Sequence, residues 1–160
     1  MPTDNERTKF SIKNLTLDES TTKAVACTIP FIIGIYEIEF ANNFVSDMMS
    51  SILLMACYMN PSLVRISYVS NFAKINFNKT LIALMKGIPG KIKEINTSYS
   101  IHQVEIMDQV MRSFHSFEDL VKVNMSGCCF SVNSCRVWSN YIMKTYTLKD
   151  LNVSKCKITN

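Results

Sequence analysis

The chain has 160 residues, of which 48% are hydrophobic and 19% are charged, and its formal net charge is +4. This length and composition indicate one ordered domain with a substantial buried core and exclude a disordered chain. The charge is modest and no run of Lys or Arg forms a block, which argues against nucleic-acid binding.

The N-terminus is polar and lacks the apolar core of a secretory signal. The most apolar run, residues 24–36, contains Pro30 and Gly34 and is too short to span a bilayer. We therefore predict a cytoplasmic protein that is neither secreted nor inserted in a membrane. Its six cysteines are then expected to be reduced thiols.

A spaced aliphatic pattern recurs along the chain. Its copies start near residues 12, 35, 63, 92, 120 and 148, at steps of 23, 28, 29, 28 and 28. The copy at 12 is poor and the copy at 92 is degenerate. We predict a lead-in over residues 1–11 and one repeat solenoid over residues 12–160. The short first repeat is either an N-terminal cap or a decayed repeat.

Each copy is predicted to form a strand that is followed by a returning helix. Helices are expected over residues 46–59, 102–114 and 132–144, and a further helix is expected to end near Ile88-Pro89-Gly90. A helix that packs on a strand layer needs an apolar stripe. Ten residues before each strand start the residue is apolar: Val25, Leu53, Ile82, Val110 and Trp138.

The last copy runs from Leu148 to Ile158 and reads L-x-x-L-x-L-x-x-C-x-L with aliphatic substitutions. With a period of 28–29 residues and room for a full helix, it resembles the ribonuclease-inhibitor-like class of leucine-rich repeats. The resemblance implies an α/β fold, a right-handed solenoid (horseshoe arc) with a parallel sheet on its concave face and helices on its convex face. It also implies about six strands and five helices.

Proteins of this class include ribonuclease inhibitor, the GTPase-activating protein of Ran, tropomodulin-type actin cappers, innate-immune sensors and ciliary scaffold proteins. The motif therefore specifies an architecture and says little about function. From the resemblance we expect a non-enzymatic protein-binding module or scaffold subunit of a larger assembly, cytoskeletal or ciliary. One alternative is a GTPase-activating or other enzyme-regulatory protein, although no catalytic motif can be placed on this sequence. Another is a fragment of an innate-immune-type receptor.

Position nine of each copy, where the chain leaves the strand, is predicted to hold a ladder of side chains that bond to turn backbone groups. The predicted ladder residues are Asn43, Asn71, Cys128 and Cys156, and Ser100 departs from the pattern. Cys128, Cys129, Cys135, His102 and His115 do not have the spacing of a zinc site. We predict no catalytic residue, no metal and no cofactor.

The concave face is predicted to carry a row of alternating charges at position three, from Glu37 to Asp150. We favour a self-compensating solvated row over a dedicated ligand row. An aromatic and Arg patch of Tyr36, Val64, Arg65 and Tyr99 is the contact site to test first. The full set of candidate contact residues on this face is Tyr36, Glu37, Val64, Arg65, Glu94, Tyr99 and Lys122.

The sixth copy is predicted to have a strand and no following helix, so its apolar side chains are expected to be partly exposed. These residues are Leu148, Leu151, Val153 and Ile158. Solenoids normally protect their ends. We expect either that the chain is a fragment whose further repeats cover this end, or that a neighbouring subunit covers it.

Overall fold

In the computed structural model, residues 8–71, 79–83, 92–114 and 119–159 are described. Six strands form one parallel sheet in the order β1-β3-β5-β6-β7-β9, which is also their order along the chain. These strands are β1 (Thr8–Lys13), β3 (Ile35–Ala41), β5 (Arg65–Val69), β6 (Glu94–Asn96), β7 (Lys122–Asn124) and β9 (Asp150–Asn152).

After the turns, shorter strands form two parallel pairs: β2 (Thr16–Leu17) with β4 (Phe44–Val45), and β8 (Cys129–Ser131) with β10 (Lys157–Thr159). The returning helices are α1 (Glu19–Thr28), a 3-10 turn (Ile29–Phe31), α2 (Asp47–Met59), α3 (Val104–Phe114) and α4 (Val132–Ile142). Residues 79–83 are also helical. Within the described chain, no helix is long and apolar enough to cross a membrane.

Each sheet strand pairs in register with the strand one repeat later. Glu37 lies beside Arg65, Arg65 beside Glu94, Glu94 beside Lys122, and Lys122 beside Asp150. The predicted α/β leucine-rich-repeat architecture, with about six parallel strands on one side and helices on the other, is confirmed. The predicted helices over 46–59, 102–114 and 132–144 agree with α2, α3 and α4 to within two residues at each end. The expected helix end at Ile88-Pro89-Gly90 lies outside the described residues.

The first repeat differs from our prediction. Ile12 pairs with Phe40 and not with Ile35, so from Lys9 to Lys13 the first repeat stands 28 residues before the second. The match at Ile12 would have placed Leu15 in an inward position, but Leu15 is 51% exposed. Strand β1 begins at Thr8 and so includes residues 8–11 of the predicted lead-in. The shortened 23-residue step was therefore wrong.

The residue before the ladder position has left-handed backbone geometry in all six repeats. This turn lets the chain leave the strand sharply and return as a helix, and an L-residue other than Asn or Gly adopts it at some cost. The six residues, with φ between 53° and 70°, are Asn14, Asn42, Ser70, Tyr99, Gly127 and Lys155. Their spacing of 28 or 29 residues confirms the corrected register.

The core lies between the sheet and the helices. Inward strand residues such as Ile38 and Val123 are at most 1% exposed, and so are Leu53 of α2 and Val110 of α3. Helix starts are capped by side chains, because Ser46 and Ser131 each accept a bond from the first-turn backbone. The repeat pattern thus fixes which face of each helix is buried.

Candidate functional site

The turns are joined by buried amide side chains. The Nδ2 of Asn71 donates to the carbonyl of Phe40 at 2.9 Å and to that of Val69 at 3.0 Å. Its Oδ1 accepts from the N–H of Asn43 at 2.7 Å. Asn43 makes the same kinds of bond one repeat earlier, donating at 2.9 Å and accepting at 3.1 Å. These side chains connect three successive turns and have a structural role.

The later repeats use other donors at the same position. The Ser100 hydroxyl donates to the carbonyl of Tyr68 at 2.6 Å and accepts from the N–H of Asn71 at 3.2 Å. Ser100 therefore makes the ladder bonds although it is neither Asn nor Cys. The Sγ atoms of Cys128 and Cys156 each donate at 3.2 Å to a backbone carbonyl of the preceding repeat. Burial raises the pKa of both thiols, which therefore stay protonated donors.

Among the described residues, no three His, Cys, Asp or Glu side chains are grouped so that they could hold a metal ion. His102 lies on the surface, and its Nε2 is 2.9 Å from the carbonyl of Tyr99. His115 falls outside the described residues.

The concave face is the sheet face that points away from the helices. Its charged side chains form ion pairs with one another. Lys9 lies 3.2 Å from Glu37 and 2.8 Å from Glu39, and Lys13 lies 2.7 Å from Glu39. Burial by itself would raise the pKa of Glu39, but hydrogen bonds from Lys13, Lys9 and Ser11 outweigh it and lower the pKa to about 2. Glu39 is thus held as a carboxylate by the first repeat.

The predicted patch around Arg65 is also internally bonded. Arg65 contacts Glu37 and Glu94, both at 3.4 Å, and the Tyr36 hydroxyl donates to Glu94 at 2.5 Å. Val64 is half-buried beside them. The structure therefore brings together Tyr36, Glu37, Arg65 and Glu94, with Val64 at their side.

The other two candidates of this face do not bond to the Arg65 network, although Lys122 lies on the strand next to Glu94. Lys122 pairs with Asp150 at 2.9 Å, two strands further along the sheet. Tyr99 stands in the left-handed turn after β6, where its ring lies against Gly127. The turn follows the end of its strand, whereas Arg65 and Glu94 begin theirs, so Tyr99 is not part of the Arg65 network.

The two ends of the solenoid differ in character. One side of α2 packs on α1. The residues of α1 at the same repeat positions are Thr21, Ala24 and Thr28, and all of them are exposed and small or polar. The side chain of Asp18 caps the same helix. A polar outer face is typical of a terminal capping repeat. The N-terminal end of the described chain is therefore compatible with solvent.

The C-terminal end exposes part of a helix stripe that is buried in the earlier repeats. In α3 the stripe that faces the next repeat consists of Met107, Val110, Met111 and Phe114, each 0% exposed beneath α4. In α2 the corresponding residues Ser50, Leu53, Leu54 and Cys57 are at most 3% exposed. In α4 they are Cys135, Trp138, Ser139 and Ile142, of which Ile142 is 39% exposed, and Met143 beside it is 71% exposed. No helix among the described residues covers this stripe.

The last strands form the other wall of the same groove. Val153 is 39% exposed, whereas Met125 at the same position of the previous repeat is 0% exposed. Ile158 is 66% exposed, and Phe130 before it 3%. Leu148 and Leu151 are half-buried under this wall. The resulting C-terminal groove has a volume of about 280 Å³ and is lined by Phe130, Cys135, Trp138, Ser139, Ile142, Met143, Val153, Cys156 and Ile158.

A second apolar groove lies on the convex side between α1 and α2. Its volume is about 440 Å³, and its lining includes Phe31, Met55 and Met59, which are 81%, 44% and 63% exposed. Unlike the C-terminal groove, it lies between two helices that already pack on each other. Sequence reasoning identified neither this groove nor the α4 stripe, although the 28-residue register, applied to helices as well as strands, would have found the stripe.

Comparison with solved structures identifies a similar fold. The chain is similar to the tropomodulin C-terminal domain of Caenorhabditis elegans, with a TM-score of 0.66 and 19% sequence identity over 89% of this chain and 86% of that chain. At this identity the likeness shows the fold, a leucine-rich-repeat-like domain. No protein-family model and no curated protein sequence matches the chain.

Proposed function

We propose that the chain is a non-enzymatic leucine-rich-repeat module that binds a protein partner within a larger cytoplasmic assembly, in the first instance a cytoskeletal one. The C-terminal groove is its main contact surface. One observation carries the proposal: Ile142 is 39% exposed, whereas its equivalents Cys57 and Phe114 are fully buried. Apolar surface that the repeat design buries everywhere else gains most from a partner.

Two observations support the cytoskeletal setting. The sequence pattern resembles a class that contains tropomodulin-type actin cappers, and the fold is similar to a tropomodulin C-terminal domain. Actin is therefore the first partner to test. A ciliary scaffold and an innate-immune-type receptor fragment share the repeat class and would be distinguished by the partner recovered.

The concave face is the weaker candidate surface. Its most polar part has its charges already paired, because Arg65 lies between two carboxylates and Glu94 also accepts from Tyr36. A partner would have to replace these bonds before it gained any. We therefore assign Tyr36, Glu37, Val64, Arg65, Glu94, Tyr99 and Lys122 a secondary part in binding.

A binding role also suits the chemistry of the groove. Its two ionisable lining residues are Cys135 and Cys156, and burial raises the pKa of Cys156, so that this thiol is neutral. A protonated, half-buried thiol is a poor nucleophile. Acceleration of GTP hydrolysis by a small GTPase in the presence of the chain would contradict the non-enzymatic proposal and favour the regulatory alternative.

The test is affinity capture from native extract with quantitative mass spectrometry, in parallel with co-sedimentation on actin filaments. The variant Ile142→Asp places a charge in the C-terminal groove, and Met59→Asp is the matched control in the convex groove. We expect a partner that wild type and Met59→Asp retain and that Ile142→Asp loses. Equal retention by all three proteins would contradict the assignment of the surface, and recovery of chaperones alone would contradict the proposed function.

A further inference from the structure

We propose that the C-terminal groove binds an amphipathic helix with an acidic polar face, supplied by the partner protein. This inference rests on the proposed function and adds the chemistry of the partner. It is carried by the shape of the groove and by the charge of the chain segment that forms it.

The groove has the shape of the place that a helix fills one repeat earlier. One repeat earlier, α4 fills the equivalent position on α3, where Phe114 meets the rings of Trp138 and Tyr141 edge-on at centroid distances of 4.9 Å and 5.9 Å. At the positions of the α3 stripe, α4 carries Cys135, Trp138, Ser139 and Ile142, so Ser139 is polar where α3 has Met111 and Ile142 stands in place of Phe114. A helix that presents apolar residues at i, i+3, i+4 and i+7 would extend the existing repeat-to-repeat interface without a change of geometry.

The chain segment that forms most of the groove is basic. Residues 132–159 contain five basic residues and one acidic residue, a net charge of +4 that equals the net charge of the whole chain. The acidic residue, Asp150, is paired with Lys122. The basic residues are all exposed and adjoin lining residues or the last strands: Arg136, Lys144, Lys149, Lys155 and Lys157.

This charge decides between occupants. A second copy of the chain docked end to end would bring an equal set of five cations against the first, and like charges across an interface oppose association. An acidic helix places its carboxylates against the cations while its apolar stripe covers Ile142 and Val153. Electrostatic attraction of this kind raises the association rate and weakens as salt increases.

The test uses two synthetic peptides of about 18 residues, long enough to form a helix when bound. Both carry Leu at i, i+3, i+4 and i+7, and their remaining positions are rich in Glu in one and in Lys in the other. Trp138 is the only tryptophan in the chain, so its fluorescence reports binding at the groove directly. We expect the acidic peptide to bind at least about tenfold more tightly than the basic one, with a preference that decreases at high salt.

Two variants make the result specific. Lys155→Glu/Lys157→Glu should reverse or abolish the preference for the acidic peptide, and Ile142→Asp should prevent binding of both peptides. Met59→Asp should change nothing. Circular dichroism of each variant before titration checks that it is folded.

Equal affinity for the two peptides, or binding of neither, would overturn the inference. So would self-association of the chain that quenches Trp138 as the protein concentration rises. In each case the proposed function would survive if Ile142→Asp still lost the captured partner. If Ile142→Asp kept the captured partner while the acidic peptide bound as expected, the proposed surface would be wrong and the helix-binding property would stand.

Discussion

The buried side-chain amide of Asn71 allows the contribution of the ladder to stability to be tested by a single substitution. Asn71→Ala removes three side-chain hydrogen bonds, with Phe40, Val69 and Asn43, in a residue that is 0% exposed. Each bond contributes about 1 kcal/mol net, which gives about 3 kcal/mol. Asn43 is only 6% exposed, and its N–H also loses its acceptor. This unsatisfied buried donor raises the expected loss of unfolding free energy to about 4 kcal/mol.

Urea unfolding followed by circular dichroism measures this cost as a lower midpoint at an unchanged slope. Asn71→Ser is the graded control, because the hydroxyl of Ser100 at the equivalent position has a single proton, shared between the carbonyls of Tyr68 and Ser98, and accepts one bond. We expect it to lose about half as much free energy. Asn140→Ala, at an exposed site on α4, should be nearly neutral. A cost for Asn71→Ala below about 1 kcal/mol, or equal to that of Asn140→Ala, would refute the ladder as a source of stability.

Four further predictions concern the turns, the first repeat and the thiols. Gly127→Ala should destabilise the chain in urea by about 2 kcal/mol or more, because a Cβ atom there would lie 2.3 Å from the Tyr99 ring at a φ of 70°. Lys155→Gly, at the same turn position, should instead stabilise it by about 0.5–1 kcal/mol. The pKa of Glu39 is lowered from 4.5 to about 2, so its ion pairs stabilise the fold fully above about pH 4.5 and are lost as the pH falls towards 2. Wild type should therefore lose about 1–2 kcal/mol more than Glu39→Gln over that interval, after allowance for screening of its partly exposed lysine partners. The thiol of Cys128 should react with a maleimide only on unfolding, as mass spectrometry of the labelled peptide would show, because it is fully buried.

A different result would contradict each of these predictions. A neutral Gly127→Ala would mean that the ring of Tyr99 does not lie over the turn. A destabilising Lys155→Gly would mean that Lys155 makes a contact that outweighs its backbone cost. Parallel acid-unfolding curves for wild type and Glu39→Gln would remove the first-repeat ion pairs as a source of stability. Labelling of Cys128 in the native state would mean that the last turns open readily.

The sequence predicted the strands because their apolar residues recur with a period that few other folds produce. The same pattern misplaced the first repeat, since Leu15 and Leu17 mimic the inward spacing although Leu15 faces solvent. A better signal was present in the turns. Asn14 and Asn42, which are 28 residues apart, tolerate the left-handed geometry that the turn requires and mark the register directly.

Side-chain hydrogen bonds and ion pairs between repeats could be predicted less well than the strands. The row from Glu37 to Asp150 was predicted from alternation alone, but the bond from Tyr36 to Glu94 joins strands two apart and depends on side-chain lengths and rotamers. The C-terminal groove could be predicted only in part. The wall of Val153 and Ile158 follows from the strand pattern, whereas the exposure of Ile142 depends on whether another helix covers α4.

Hydrogen exchange of the chain, free and bound to its captured partner, tests the assignment of the C-terminal groove most directly. Binding stabilises the elements that it contacts and slows their local opening. We expect slower exchange in α4 and in residues 150–159, with β1, β3 and α1 unchanged. Protection confined to the strand starts around Arg65, or to α1 and α2, would place the partner on the concave face or in the convex groove and would contradict the proposal.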